Sequence, residues 1–164
     1  MARTFEMEHG VGKLLYTWWK GLDDDRASRA ILRRAADVTA VTLTAPYQRL
    51  YRRLCEAGWS DARRNDALAA AVGLLAHVRE GDDNAKSLAA SMSTRIEGGD
   101  RPRVSKLRFM RLLESPDLEA LFTGLRRALP LMNHRVDVLM LANDVVEWGD
   151  KVKKNWAYNY EWPA

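Results

Sequence analysis

No stretch of this chain sustains the apolar–polar alternation of a half-buried strand. Wherever apolar residues recur, they do so at three- and four-residue spacing. Proline occupies only five of 164 positions, so little interrupts that spacing. The expectation is an all-α protein, a two-lobed helical bundle of about seven to nine helices. Leu14, Leu15, Trp18 and Trp19 mark a first helix over roughly 9–21, closed by Gly21. Asp23, Asp24 and Asp25 stand where the positive end of a second helix favours acids, and that helix is read to about Ala36. A third starts at Thr44, with Pro46 in its first turn, and stops at Gly58. The fourth is read from Asp61 to Glu80. Residues 81–102 are polar and glycine-bearing and read as a connection with one short helix near Ser87–Met92. They divide an N-terminal lobe, 1–80, from a C-terminal lobe, 103–164, within a single all-helical domain. Helices over 103–114, 117–129 and 134–158 complete the chain, the last starting at Asn133 or His134.

Charge excludes several classes of function. No run of 18 residues lacks a charge, so no membrane span is expected. The N-terminus carries two acids and no apolar segment before a small-residue cleavage site, which argues against a signal peptide. A lone cysteine, Cys55, makes neither an internal disulfide nor a multi-cysteine zinc site. A cytoplasmic protein is expected, with Cys55 as a small buried hydrophobe. Arg outnumbers Lys by 19 to 7 within a net charge of +4, and the excess is unevenly placed. Residues 26–64 hold nine Arg against three acids, and residues 101–111 hold five cations and no acid. Arginine presents a planar fork of donors matched to phosphate. Two such islands in an otherwise acidic chain point to a polyanion partner.

On the third helix, Tyr47, Leu50, Tyr51 and Leu54 share one side while Arg49, Arg52 and Arg53 leave from the other. The second helix repeats the pattern with Arg26, Arg29 and Arg33 in a stripe and Arg34 beside it. In the helix after the connection, Arg108 and Arg111 lie one turn apart, opposite Phe109, Met110 and Leu113. Three helices with unpaired Arg suit a nucleic-acid backbone. A last ladder, Trp148, Val152, Trp156 and Tyr160, reads as core or subunit contact before it reads as a base-stacking platform. Glu147 with Lys151 and Asp150 with Lys154 are spaced to pair. Chemistry finds little support, and no cofactor or metal is expected. His9, His77 and His134 form no metal-ligand pair, and no phosphate-cradling loop or nucleophile elbow is present. A metal-dependent nuclease or phosphatase using Asp137, Asp144 and Glu147 is the weakest reading, because such acids on helices are usually caps or ion pairs.

RVSKLRFMRLL (103–113), LRRAL (125–129) and WGDKVKKNWAYNY (148–160) together resemble the small subunit of the type I-E CRISPR Cascade complex, the CasB family. YTWWKGL (16–22), RAILRRA (29–35) and GLLAHVRE (73–80) resemble the same family's front half, so the likeness runs from about 14 to 160. It departs where the family often has Arg and this chain has Lys151, Lys153, Lys154 and Asn155. The resemblance implies a two-lobed, non-catalytic protein that pairs with a second copy of itself inside a crRNA-guided complex. The implied partners are the large subunit, the backbone subunits, the crRNA and the target DNA, with no membrane. Carried over by motif, Arg34, Arg108, Arg127 and Lys151 are the first expected phosphate contacts, followed by Arg33, Arg103 and Arg111. The alternative is a helical protein–protein scaffold that touches nucleic acid only incidentally.

Overall fold

The computed structural model describes residues 3–164. Ten α-helices are present among them: α1 (Gly10–Gly21), α2 (Arg26–Arg34), α3 (Val38–Thr42), α4 (Ala45–Glu56), α5 (Asn65–Leu75), α6 (Leu88–Ser93), α7 (Lys106–Leu113), α8 (Leu118–Ala128), α9 (Val138–Val146) and α10 (Asp150–Asn159). The all-α expectation holds, with a higher helix count than expected. The only sheet among the described residues pairs β1 (Glu80–Gly81) with β2 (Arg135–Val136) in parallel.

Short polar residues start most of these helices. Asp25, Asp37, Thr44, Ser87, Ser105, Asp117 and Asp137 each accept a backbone N–H of the first turn, at α2, α3, α4, α6, α7, α8 and α9 respectively. Such caps contribute about 1 kcal/mol apiece by satisfying donors that the helix itself leaves free. α5 is the axis of the molecule. Every residue from Leu68 to Leu75 is buried, and the helix packs against α3, α8 and α9. Gly73 makes that approach close: a Cβ there would lie 2.7 Å from Val41 Cγ2 and 3.1 Å from a Phe122 ring carbon. One continuous apolar core runs from Phe5 to Tyr160.

Several element boundaries differ from expectation. The fourth helix does not span 61–80. A 3₁₀ turn occupies Ala62–Arg64, α5 ends at Leu75, and Glu80 lies in β1. The second helix stops at Arg34, and α3 lies beyond it, a segment too short to show a period of its own. The single helix read over 134–158 is two. Asn133 and His134 adopt the left-handed conformation at φ 56° and β2 follows, so α9 begins only at Val138 with Asp137, not Asn133 or His134, as its cap. α9 then ends at Val146, and the chain turns through an extended Gly149 into α10. Packing explains the break. Nearly every face of α9 is buried, whereas in α10 only Trp156 is, so the break falls where the surroundings change from interior to surface.

Candidate nucleic-acid interface

α7 and α8 lie side by side, and a groove of about 600 Å³ opens between them. Its rim carries Arg108 and Arg111 from α7 and Arg127 from α8, three of the seven residues selected from the sequence. All three are exposed, and no ion pair reaches them among the described residues. The other lining residues are apolar, small or hydroxyl-bearing, including Leu112, Gly124, Ser105 and Ser115, and none is a carboxylate. Local sequence explains the geometry. Ser105 caps α7 by accepting the Arg108 N–H, and Phe109 and Leu112 turn inward, which leaves Arg108 and Arg111 one turn apart outside. Met110 does not face the core as expected; it is 39% exposed. Gly124 lets the helices close, since a Cβ there would lie 2.6 Å from Leu112 Cδ2.

The remaining selected residues are not in this groove. Arg34 is exposed at the end of α2, and Arg33 beside it is half-buried. Arg103 lines a separate polar pocket of about 140 Å³ with Asp82, Asn133 and Arg135. Lys151 is exposed in the first turn of α10. Within LRRAL the two arginines have different jobs. Arg126 is turned back onto α2, donating to the carbonyls of Ala35 at 3.1 Å and Arg33 at 2.9 Å, so it closes that helix. Arg127, one residue on, is exposed and takes part in no ion pair among the described residues.

The α2 stripe is also less open than its spacing suggests. Arg29 lies 3.3 Å from Asp23 and is largely covered. The α4 stripe is fully open. Arg49, Arg52 and Arg53 are exposed along a broad depression of about 740 Å³. Their regular spacing is the sequence signal for that second cationic surface. Cys55 lines the same depression and is exposed, not buried, because it falls one position past the inward Leu54. No ion pair joins Glu147 to Lys151 or Asp150 to Lys154 among the described residues; Glu147 instead accepts from Thr4. Each acid of the nuclease reading is in structural use. Asp137 caps α9, Asp144 accepts the Trp156 indole N–H at 2.7 Å, and Glu147 holds Thr4. Among the described residues no three His, Cys, Asp or Glu side chains stand together as metal ligands.

The aromatic ladder is core. Trp156 and Tyr160 are buried, Tyr160 stacks on Phe109 at 4.0 Å, and Trp148 meets Trp156 edge-on at 4.8 Å. Among the described residues no helix is long and apolar enough to cross a membrane.

A family model described as CRISPR-associated protein Cse2 matches residues 28–160. The chain belongs to that family. The match takes in the cationic helices α4, α7 and α8 and the whole of α10. A chain from the crystal structure of E. coli Cascade bound to a PAM-containing dsDNA target has a similar fold. The likeness covers 89% of this chain and 91% of that one, with a TM-score of 0.65 and 22% identity. None of the curated proteins matches by sequence.

Proposed function

We propose that this Cse2-family chain is a non-catalytic small subunit of a crRNA-guided DNA-surveillance complex in the cytoplasm. It binds nucleic-acid backbone without reading sequence and helps hold the guide RNA–target DNA hybrid and the displaced strand. The supporting observation is the α7–α8 groove, where three arginines without carboxylate partners surround a cleft that has no acid in its lining. Arginine forks engage phosphate bidentately, and an unpaired fork loses no ion pair when phosphate arrives. Arg33, Arg34, Arg103 and Lys151 extend the interface beyond the groove. Large and backbone subunits, a second copy of the chain, the crRNA and the target DNA are its partners.

The test is salt-dependent binding of mixed-sequence DNA. Replacing Arg108, Arg111 and Arg127 by Ala should flatten the slope of log K against log salt by roughly 2–3, at about 0.7–0.9 for each phosphate no longer neutralised. The assembled complex should lose target affinity whatever sequence the guide specifies. An unchanged slope, or cleavage of the DNA in magnesium or manganese, overturns the proposal. The protein-scaffold reading draws on Leu107, which is 60% exposed at the same groove. It requires the arginine variant to lose a protein partner while keeping its DNA slope.

A further inference from the structure

The arginines of α4 stand apart from the α7–α8 groove. α4 packs on α1, α2 and α3, α7 packs on α8, and the linings of the two surfaces share no residue. Arg49, Arg52 and Arg53 are exposed and take part in no ion pair among the described residues. Like charges three and four residues apart on a helix repel one another, so the stripe is unfavourable for α4 on its own. Glu56 is the one carboxylate in the lining of the depression. Hydrogen bonds from Ser28, with the Arg49 charge adding to them, hold the Asp25 carboxyl below its usual range, so that acid is already engaged.

An aromatic ring lies among these charges. Tyr51 is half-buried and lines the same depression, its ring tilted against Tyr47 at 6.1 Å. Its hydroxyl accepts from Asn65 Nδ2 at 3.0 Å, and Asn65 Oδ1 accepts the Trp59 indole N–H at 2.9 Å. Asn65 opens α5 and Trp59 is buried, so the ring is pinned from the core. The α7–α8 groove has no aromatic residue in its lining. Arginine forks suit phosphate and carboxylate alike, but a ring held between them adds a face on which a base stacks. In a duplex the bases stack on one another; an unpaired strand presents them to a side chain.

We infer that the α4 face is a second nucleic-acid site, which takes a single DNA strand by its phosphates on Arg49, Arg52 and Arg53 and by a base on Tyr51. The inference rests on the reading of the chain as a nucleic-acid-binding subunit but not on the α7–α8 groove. With two such surfaces one chain holds two nucleic-acid segments at once, and the groove, which has no ring, takes backbone alone. Pinning Tyr51 before the strand arrives lowers the ordering cost of binding, which gives a physical role to the hydrogen bonds from Trp59 through Asn65 to Tyr51.

The test uses the full chain and a mixed-sequence single-stranded DNA of about 16 nucleotides. Cys55 is the one cysteine of the chain and is exposed in the depression, so its alkylation by iodoacetamide reports whether that surface is covered. Saturating single strand should slow the alkylation equally in the wild type and in the groove variant Arg108→Ala with Arg111→Ala and Arg127→Ala. A duplex of equal length should slow it far less. In that groove variant, adding Arg49→Gln, Arg52→Gln and Arg53→Gln should flatten the salt slope of single-strand binding, read by fluorescence anisotropy, by roughly 2, at about 0.7 for each phosphate. In the same background Tyr51→Phe keeps the ring and should bind as its parent does. Tyr51→Leu should bind about fivefold more weakly, the low end for loss of a stacked base. Alkylation unchanged by bound single strand overturns the inference and leaves the functional reading standing, and it decides the matter if the Gln variant destabilises the fold. Equal protection by the duplex, or Tyr51→Leu binding as tightly as Tyr51→Phe, also overturns it, because neither fits a single strand stacked on the ring. So does loss of the Gln variant from the purified complex with its DNA slope intact, which would make α4 a protein-docking face. A wild-type chain that binds neither single strand nor duplex overturns the functional reading and this inference together.

Discussion

His77 and Asp144 are ionisable side chains whose burial tilts the pH dependence of stability in opposite directions. Burial, then the neighbouring Arg126 and Arg33 guanidiniums and His134, pulls His77 down from 6.5 to about 4, and its Nε2 has no hydrogen-bond partner. Burial pushes Asp144 up from 3.8 to about 6 against the hydrogen bond from Trp156 and the charge of Arg3, with Glu147 adding to the rise. For His77 the unfolded chain binds the extra proton, so stability grows as pH climbs from about 4 to 6.5. For Asp144 the folded chain binds it, so stability falls as pH climbs from 3.8 to about 6. Each effect is on the order of 3 kcal/mol at about 1.4 kcal/mol per pH unit, and they largely cancel. The joint contribution of these two groups should therefore be nearly level across this window. Asp144→Asn, which keeps an acceptor for Trp156, should unmask a rise of about 3 kcal/mol in urea titrations between pH 4 and 6.5. A variant profile as level as the wild type would show that the two groups do not oppose each other.

Neighbouring residues on a single helix divide between structure and binding. On α8, Arg126 satisfies two carbonyls at the end of α2, while Arg127 lines the groove. Arg126→Ala should cost about 1.5–3 kcal/mol, as charged hydrogen bonds do, and leave DNA binding by the folded protein close to normal. Arg127→Ala should change stability by less than about 0.5 kcal/mol and weaken DNA binding. Chemical denaturation beside filter binding separates the two; equal stability losses would refute the division. α7 shows the same contrast across its faces. Phe109 lies within an aromatic cluster with Tyr160 at 4.0 Å and Trp162 at 5.4 Å, so Phe109→Ala should cost roughly 3–5 kcal/mol. Arg108→Ala with Arg111→Ala should leave the melting temperature nearly unchanged. Unfolding of that double variant would make the outer face structural.

At the scale of the molecule, α5 links the two halves of the chain. It belongs by sequence to residues 1–80, yet α8 and α9, which cover it, come from beyond residue 102. β1 and β2 tie the halves a second time, as does the clasp of Asn143 on Phe5. Residues 1–80 expressed alone would expose the sides of α5 that α8 and α9 cover. Such a fragment should show no cooperative thermal transition and should bind a hydrophobic dye, whereas the full chain melts in one step. A cooperative transition in the fragment would establish an independently folding front half.

Helical class, the starts of α2, α4, α6 and α8 and the family are all legible along the chain, because they depend on local chemistry. A Ser, Thr or Asp cap acts within three residues, a helical stripe repeats within one turn, and the motifs 103–113, 125–129 and 148–160 are contiguous. The same period sets Arg108 and Arg111 outside and Phe109 inside, since one turn of helix separates those faces. Which arginines are free is settled by packing between distant elements. Arg29 and Arg126 look like Arg127 in the sequence, yet Asp23 covers one and the end of α2 takes the other. The break at 147–149 is likewise hidden, because an unbroken helical period does not reveal where the core ends. The clasp of Asn143 on Phe5 is hidden most completely, because 138 residues separate the two and only the packing of α9 brings them together.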